Sequence, residues 1–547
     1  MGARRGNDHL ASLIVNLPHW LSPLPGAANM REVDRWAIEE RGAVGMELMQ
    51  RAGAGVARAV DRLSPEGPVA IVCGKGNNGG DGLVAARLLR EGGREVDVYC
   101  VAAPEDFSGD ARAHLEKLPG AAPVHLDGTS WRSGASGHDG GLAALASGTV
   151  LVDALLGTGF EGEPRGVVAE AIELINATGA PVVSVDVPSG VDASNGEVAG
   201  AAVQARITVT FHAAKPGLWI RPGKAHTGEV QTVGIGIPRG APIDTSIGLI
   251  KASILDELPR RRAAGNKFAS GHVLVVGGSP GLTGAPTMTA MAAMRAGAGY
   301  VTMCVPESLE TLVASRATPE LMSMGMPDAG GSMAIAAAPE VLAASERGGA
   351  LALGPGLGRS DGAVEFARRL AQGAMVAVVL DADGLNAHTG HLRRLASRRA
   401  PTVLTPHAGE LGRLLKVESA EIERTRLACA RAAAEHAAAV VVLKGDDTLI
   451  ADPSGMVAVS PGGSPALATA GTGDVLAGII AALLAQGVEP FTAAAAAVSL
   501  HAEAGRRAAV KVGSVEGVMA TDVIDALGAA RSPARRRGPR SARGEDR

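Results

Sequence analysis

A chain of 547 residues exceeds what one ordinary hydrophobic core can organise, so two large domains or more are expected. A net charge of −4 gives no global attraction for nucleic acid or an acidic membrane surface, which leaves small-molecule chemistry as the expected business of the chain. Aromatics at only 2% beside 74 glycines exclude an aromatic-filled β-sandwich and favour an α/β fold of buried strands and small-residue helices.

In chain order, residues 1–25 carry prolines and little periodicity and read as an N-terminal extension. Arg4 and Arg5 ahead of Leu10–Leu17 faintly resemble an export signal, but Asp8 and Asn16 interrupt the apolar run and no small-residue cleavage site follows. Over 26–240, the runs Val69–Cys73, Glu95–Val101, Val150–Asp153, Val182–Asp186 and Ile207–Phe211 predict buried parallel strands, with helices at Gly82–Glu91 and Val167–Ala177. This is the element order of a Rossmann-like three-layer domain. Residues 241–264 lose the pattern, carry Arg260-Arg261-Arg262, and read as a linker.

A second α/β series occupies 265–530, with strands predicted at Gly271–Val276, Gly299–Val305, Ala350–Leu353, Met375–Leu380, Thr402–Leu404 and Val440–Leu443. The apolar run Val475–Ala485 is about half the roughly 20 residues a bilayer crossing needs and reads as a buried helix. Residues 531–547 form a basic tail, whose simplest reading is a solvated one. Cys73, Cys100, Cys304 and Cys429 show no C-x-x-C spacing, so neither a zinc site nor a disulfide framework is indicated and a reducing cytoplasm fits.

Chemistry concentrates where strands end. Gly74-Lys75-Gly76-Asn77-Asn78-Gly79-Gly80-Asp81-Gly82 follows the first strand and enters a helix, where backbone N–H groups can gather on a phosphate; a merely tight turn is the alternative. Asp153, before Gly157-Thr158-Gly159, and Asp186, in Asp186-Val187-Pro188-Ser189-Gly190, end two further strands at the edge where open parallel sheets bind ligands. Either acid alone also serves as a loop cap.

In the second half, Val276-Gly277-Gly278-Ser279 leads toward Gly284 and Ala285, and Gly354-Pro355-Gly356 makes a similar turn. Thr405-Pro406-His407-Ala408-Gly409-Glu410 and Lys444-Gly445-Asp446-Asp447-Thr448 add polar clusters. In Gly471-Thr472-Gly473-Asp474, two glycines and an acid precede the apolar helix, which joins an anion cradle to a potential base. Thr472 or Asp474 capping the helix, His407 as a hydrogen-bonded structural residue and Lys444 in a solvated turn are the plainer readings.

The ordered segments G-K-G-N-N-G-G-D-G, D-A-L-L-G-T-G and D-V-P-S-G-V-D resemble the epimerase domain of the bifunctional NAD(P)H-hydrate repair enzymes, over roughly residues 30–235. The second set, ending in G-T-G-D, resembles the ribokinase-like fold and more closely the ADP/ATP-dependent NAD(P)H-hydrate dehydratases, over roughly 250–528. The resemblance implies that Asn77, Asn78, Gly79, Gly80 and Asp81 hold dinucleotide phosphates, while Gly157, Thr158, Gly159, Phe160, Glu161, Gly162 and Glu163 line the rest of that substrate. Asn78, Asp153 and Ser189 would offer oxygens to a potassium ion, and Asp186 would bind substrate and act as acid/base at C6 of the hydrated nicotinamide. Glu161 stands near where some members carry a lysine.

In the second domain Ala285, Gly356 and His407 would contact the hydrated dinucleotide, Lys444, Gly445, Asp446, Asp447, Thr448 and Gly473 the adenine nucleotide, and Asp474 the substrate hydroxyl as catalytic base. The resemblance also implies magnesium arriving with ADP or ATP and NADH and NADPH hydrates as substrates. No nucleic-acid or membrane partner is expected, and a homo-oligomer is. The alternative is a ribokinase-like small-molecule kinase fused to a nucleotide-binding regulatory module, which G-T-G-D would serve equally.

Overall fold

The structure, a computed structural model, describes residues 17–126, 149–261, 263 and 265–531. Its contacts divide the chain into two compact units, one running to Leu249 together with Glu423–Leu427, the other formed by Ile250–Ile422 and the chain from Ala428. Among the described residues no helix is long and apolar enough to cross a membrane.

In the first unit β1 (Leu21–Pro23) is followed by β2 (Val69–Cys73), β3 (Val96–Cys100), β4 (Val124–His125), β5 (Val150–Ala154), β6 (Val182–Val185), β7 (Ile207–Phe211) and β8 (Glu229–Val233). The last seven form one parallel sheet in the order β4-β3-β2-β5-β6-β7-β8. β2 and β5 are buried along their whole length because helices cover both faces, which is why they read as continuous apolar runs. Helices Gly45–Leu63 and Asn77–Glu91 pack Val56, Val60, Leu83 and Leu89 over Ile71, Val152 and Val209. Helix Val167–Ala177 packs Ile172 and Ile175 over Ala70, Val72 and Leu151 on the other face. The result is three layers, with the strand order reversing direction between β2 and β5. The crevice at such a reversal is where an open α/β sheet accepts ligand.

Helix Asn77–Glu91 begins five residues before the predicted Gly82. Glycine is a poor helix former, so propensity argues against that start, but packing overrides it. A Cβ on Gly79 would lie 1.8 Å from Gly74 O, one on Gly80 2.6 Å from Met49 Sδ, and one on Gly82 2.6 Å from Ala154 Cβ. The glycines let the helix sit down on the strand it follows.

β9 (Ile247–Ile250) comes next in the chain, and the second unit orders its strands β20-β19-β18-β17-β16-β15-β10-β11-β12. They are β10 (His272–Val276), β11 (Tyr300–Pro306), β12 (Met322–Met326), the short antiparallel pair β13 (Asp328–Ala329) and β14 (Ser332–Met333), β15 (Ala350–Leu353), β16 (Ala377–Leu380), β17 (Thr402–Leu404), β18 (Val440–Leu443), β19 (Leu449–Ala451) and β20 (Val457–Val459). From β18 through β12 every pairing is parallel, and the order reverses between β10 and β15. Helix Thr472–Ala485 is buried over almost its whole surface, and a Cβ on its Gly478 would meet Thr289 O of helix Gly284–Arg295 at 2.2 Å. Small residues replace aromatics here by bringing helix axes close.

Several expectations need correction. Residues 17–25 are part of the fold: Trp20, Leu21 and Leu24 are buried, and Leu24 N–H bonds to Ile247 O at 2.9 Å; residues 1–16 lie outside the described residues. The stretch 241–264 holds β9 and the turn Ala252–Glu257 with Ile254 fully buried, so it is not a bare linker. At the C-terminal end Arg531 donates to Pro259 O at 2.5 Å and to Ala296 O, and residues 532–547 lie outside the description. β8, β12, β19 and β20 were not foreseen. β8 and β12 are half-exposed edge runs lacking a buried apolar pattern, and β19 and β20 are three residues each.

Gly79→Ala is expected to lower stability by about 3 kcal/mol or more, the upper range for forced overpacking, because its Cβ meets backbone. Gly76→Ala meets nothing within 4 Å and is expected to change stability by less than about 1 kcal/mol. Calorimetric melting of the two variants checks the contrast.

Candidate active sites

In the first unit the parallel ladder runs one residue past the strand ends, so the loops that follow begin from fixed points: Gly74 N–H bonds to Ala154 O at 2.9 Å and Asp186 N–H to Val209 O at 2.7 Å. The first helical i→i−4 bond of Asn77–Glu91 is Gly80 N–H to Gly76 O, which places the amides of Asn77, Asn78 and Gly79 at the positive end of the helix, where Asn77 is exposed and Asn78 and Gly79 are buried. That end suits an anion.

Asp186 takes φ +65°, an uncommon conformation for a residue with a Cβ. Its carboxylate is gripped on all sides. Lys215 Nζ lies 2.6 Å from Oδ1, Thr210 Oγ1 donates to Oδ1 at 3.1 Å, Thr158 N–H donates to Oδ2 at 3.3 Å, and the Thr158 hydroxyl also donates to Oδ2. Burial alone would raise this carboxyl, but the Lys215 ammonium and these hydrogen bonds hold it below the usual aspartate range. Lys215 follows β7, is 1% exposed, and also donates to Thr210 Oγ1 at 2.8 Å and Phe211 O at 3.1 Å. Asp81 behaves oppositely. Burial, then the charges of Asp186 and Asp34, push its carboxyl well above the ordinary value. Asp34, on helix Ala27–Arg35, is likewise raised, by burial first. Asp81 lies close enough to Asp186 for the two charges to repel.

Asn78, Asp153 and Ser189 meet around the backbone of Leu156. Asn78 Nδ2 donates to Leu156 O at 2.9 Å, Leu156 N–H donates to Ser189 Oγ at 2.9 Å, and Ser189 Oγ donates to Asp153 Oδ1 at 2.5 Å. Asp153 is fully buried, accepts also from Ser184 Oγ at 2.8 Å and Ser189 N–H at 2.9 Å, and has no ion-pair partner among the described residues. Burial pushes its carboxyl up. A lone buried carboxylate among neutral oxygens suits a hard, weakly charged cation, while no group of three or more His, Cys, Asp or Glu among the described residues could hold a transition metal. Gly157 lies against Asn78, its Cβ position 2.9 Å from Oδ1. Of the remaining loop residues Phe160 N–H closes a turn on Gly157 O, Gly159, Glu161 and Gly162 are exposed, and Glu163 is exposed with its side chain beside Gly200.

The second site is assembled the same way, from the C-terminal ends of adjacent strands. Gly277 follows β10, Gly354 follows β15, Asp381 follows β16, Thr405 follows β17 and Lys444 follows β18. Gly356 (φ +62°) comes within 3.3 Å of Ala285 Cβ at its own Cβ position, so these two expected substrate contacts are adjacent, and Ser279 Oγ donates to Gly356 O at 2.9 Å. His407 caps helix Ala408–Leu415: its Nδ1 accepts from Gly409 N–H at 3.0 Å, while Glu410 Oε2 accepts from His407 N–H at 2.9 Å. Its ring nevertheless remains 56% exposed at the cleft end of β17, so a cap and a ligand contact are compatible.

Lys444 reaches Asp381 Oδ1 at 3.1 Å and Glu410 Oε2 at 3.6 Å. Burial opposes its charge, but Asp381, Glu410 and Asp474 together raise its pKa. The loop Lys444–Thr448 is the turn of the β18–β19 hairpin. Gly445 and Asp446 are exposed on it and Asp447 is buried. Thr448 Oγ1 bonds back to Gly445 O at 2.6 Å, so the hydroxyl expected to face a nucleotide is used in the turn. Helix Thr472–Ala485 starts from Gly471 in the left-handed region at φ +89°, and the Thr472 hydroxyl bonds Leu467 O and Thr469 O. Neither Thr472 nor Asp474 caps the helix with its side chain, so its first amides are left open. Gly473 has Lys444 Nζ 3.7 Å and Asp381 Oδ2 4.0 Å from its Cβ position. Beside it, burial and then Asp381 raise Asp474 to about 7 against the opposing pull of Lys444. His501, buried on helix Pro490–Val512, is pushed down to about 4 by burial and by Lys444.

Comparison with known proteins gives a family model described as NAD(P)H-hydrate dehydratase over residues 273–528 and one described as YjeF-related protein N-terminus over residues 45–217. The bifunctional NAD(P)H-hydrate repair enzyme of Moorella thermoacetica is 42% identical over 92% of this chain and 95% of its own length. The chain belongs to the bifunctional NAD(P)H-hydrate repair enzymes. That of Escherichia coli K12 is 33% identical over 94% of each chain. Among solved structures, the ADP/ATP-dependent NAD(P)H-hydrate dehydratase from Bacillus subtilis co-crystallised with ATP/Mg2+ is 29% identical, covering 51% of this chain and 94% of its own, with a TM-score of 0.43.

Within this repair-enzyme chain, the sequence alone did not point to Lys215, Asp34, Asp381 or His501, and it marked Glu410 only as a member of a polar cluster. Lys215 and Asp381 shared one signal, a charge at or just beyond the end of a buried apolar run. Asp34 and His501 had none beyond lying on helices.

Lys215→Met leaves the Asp186 carboxylate buried without its cation and is expected to cost about 3–5 kcal/mol. Asp186→Leu in the same chain should recover most of it. Because Asp186 is held below its ordinary value, the pair's contribution is present above that range and disappears as pH falls through the depressed one. Calorimetry of single and double variants between pH 3 and 7 checks both statements.

Proposed function

We propose that this chain repairs hydrated nicotinamide cofactors. The first unit interconverts the R and S forms of NADH and NADPH hydrate, and the second dehydrates the S form at the expense of ADP or ATP, releasing AMP or ADP and phosphate. What carries the reading is Asp474, a half-buried acid whose proton affinity burial and Asp381 raise, on the first turn of a helix whose amides open beside Gly473. Asp474 accepts the proton of the C6 hydroxyl as its oxygen takes the nucleotide's terminal phosphoryl group, and the positive helix end steadies charge on the phosphoryl oxygens. The C6–O bond then breaks with loss of phosphate, and loss of the C5 proton restores the ring. Ala285, Gly356 and His407 face the dinucleotide. Magnesium bound to the nucleotide's phosphates would neutralise their spread charge.

In the first unit the amides of Asn77, Asn78 and Gly79 hold the dinucleotide phosphates. Interconversion needs an acid when the C6 hydroxyl departs as water and a base when water returns to the opposite face. Asp186, whose carboxyl is held low, is the base, and Lys215, 2.6 Å from it, and Asp81, whose carboxyl burial pushes up, are the groups placed to serve as the acid. This supplies the second proton carrier that Glu161, exposed on its loop, does not. Potassium held by Asn78, Asp153 and Ser189 would fix the Leu156–Gly159 loop that delivers Thr158 to Asp186. A cytoplasmic location belongs to the same proposal.

Asp474→Asn is expected to lower dehydration of the S form by 10²–10⁴-fold, about the scale of general acid–base catalysis, while R/S equilibration continues. Asp186→Asn should do the reverse. In the unaltered chain dehydration should fall tenfold per pH unit below about 7, because only ionised Asp474 accepts the proton. Recovery of reduced-nicotinamide absorbance with phosphate release measures all three. A stable phosphorylated product with no absorbance recovery would instead establish the small-molecule kinase.

A further inference from the structure

Asp381 has no part in the proposed chemistry, yet it is 3% exposed at the floor of the second site and its position is fixed by two groups. Thr405 Oγ1 donates to its Oδ1 at 2.8 Å and Lys444 Nζ at 3.1 Å, each from the end of a neighbouring strand. Both engage the same oxygen. Oδ2 is left toward the helix start, 4.0 Å from where a Gly473 Cβ would stand. A carboxylate buried there, and held by its neighbours, cannot swing away from the base on the turn above.

We propose that Asp381 is a positioning residue of the dehydration, a fixed buried charge beneath Gly473 that acts on Asp474 through the local field and through Lys444 rather than by touching substrate. The inference rests on Asp474 being the base. Two effects follow from one geometry. The negative charge strengthens Asp474 as a proton acceptor, and the hydrogen bond draws Lys444 toward Asp381 and Glu410, which offsets the ammonium's pull on the base.

The charged and titratable groups around Asp474 are few. Asp381 comes from the end of β16, Lys444 from β18, Glu410 from helix Ala408–Leu415 and His501 from helix Pro490–Val512. Helices Gly284–Arg295 and Ala520–Ala530 present Met288 and Ala520 to Gly471, neither charged. Burial raises Asp474 most and Asp381 next, while Lys444 lowers it. Glu410 bears on Lys444 more than on the base.

The test is the pH dependence of dehydration kcat/KM in the full chain carrying Asp381→Asn, which keeps an oxygen for Thr405 and Lys444 but removes the charge. The acid limb should move down by roughly one pH unit, a tenfold change in proton affinity, with a lower plateau from the weaker base. Asp381→Glu, which keeps the charge, should return the limb toward its original place. If Asp381→Asn is poorly folded, Asp381→Ser tests the same loss of charge. A merely structural role would lower kcat at every pH and leave the limb where it was, and that outcome in either charge-removing variant overturns the proposal. Failure of the underlying reading is distinguishable, because it would appear as an Asp474→Asn chain that still dehydrates.

Discussion

Both units depend on main chain approaching main chain, without a Cβ between, at the place where strand order reverses. In the first, a Cβ on Gly74 would fall 2.1 Å from Leu155 O. In the second, one on Gly277 would fall 2.0 Å from Pro355 O. At each reversal the two central strands diverge into loops that must cross closely before entering their helices. Any side chain there would force the loops apart and open the crevice that the reversal creates. The glycines are therefore a packing condition first, and the anion-accepting helix starts are its consequence.

Given that frame, the two sites differ in how burial and one lysine are combined. Asp186 and Asp474 are both aspartates at the floor of a crevice, and burial pushes each toward neutrality. Lys215 sits 2.6 Å from Asp186 itself, and the carboxylate stays ionised. Lys444 instead contacts Asp381 and Glu410, so Asp474 keeps a high proton affinity. Each unit of pKa shift is about 1.4 kcal/mol of preference for one protonation state, so the placement of a single ammonium separates a carboxylate ionised at rest from one poised near neutrality. The first arrangement suits a base that is always ready to accept a proton. The second suits a base whose readiness depends on pH.

Much of this was legible in the sequence where burial is complete. Val69–Cys73, Ile207–Phe211, Ala350–Leu353 and Val440–Leu443 run as strands over the residues the apolar pattern predicts, because both faces of a parallel strand are covered. Half-exposed Glu229–Val233 and Met322–Met326 gave no such pattern. The start of helix Asn77–Glu91 was hidden because local propensity and tertiary packing disagree at Gly79 and Gly80. Among site residues, those next to glycines stood out, while Lys215 and Asp381 did not. A lone charge after an apolar run looks like the first solvated residue of a loop. Only the fold reveals that the strand ladder continues past it, as Asp381 N–H does to Leu353 O at 3.2 Å, and carries the charge inward.

The ladder's continuation also explains why acids at these positions can carry function. A carboxylate on a free loop keeps its hydration and its ordinary proton affinity, and its position is a distribution. Asp186 and Asp381 are tied to the sheet through their own N–H groups, to Val209 O and Leu353 O, so their side chains start from points as fixed as any core residue. Desolvation is then imposed rather than escaped, and the groups that offset it, Thr158, Thr210 and Lys215 in one case, Thr405 and Lys444 in the other, must come from adjoining strand ends or loops. In an open parallel sheet those neighbours all lie on the same edge. The edge that holds the acids in place is thus the edge that supplies their partners, and a substrate entering the crevice meets charges whose positions were settled before it arrived.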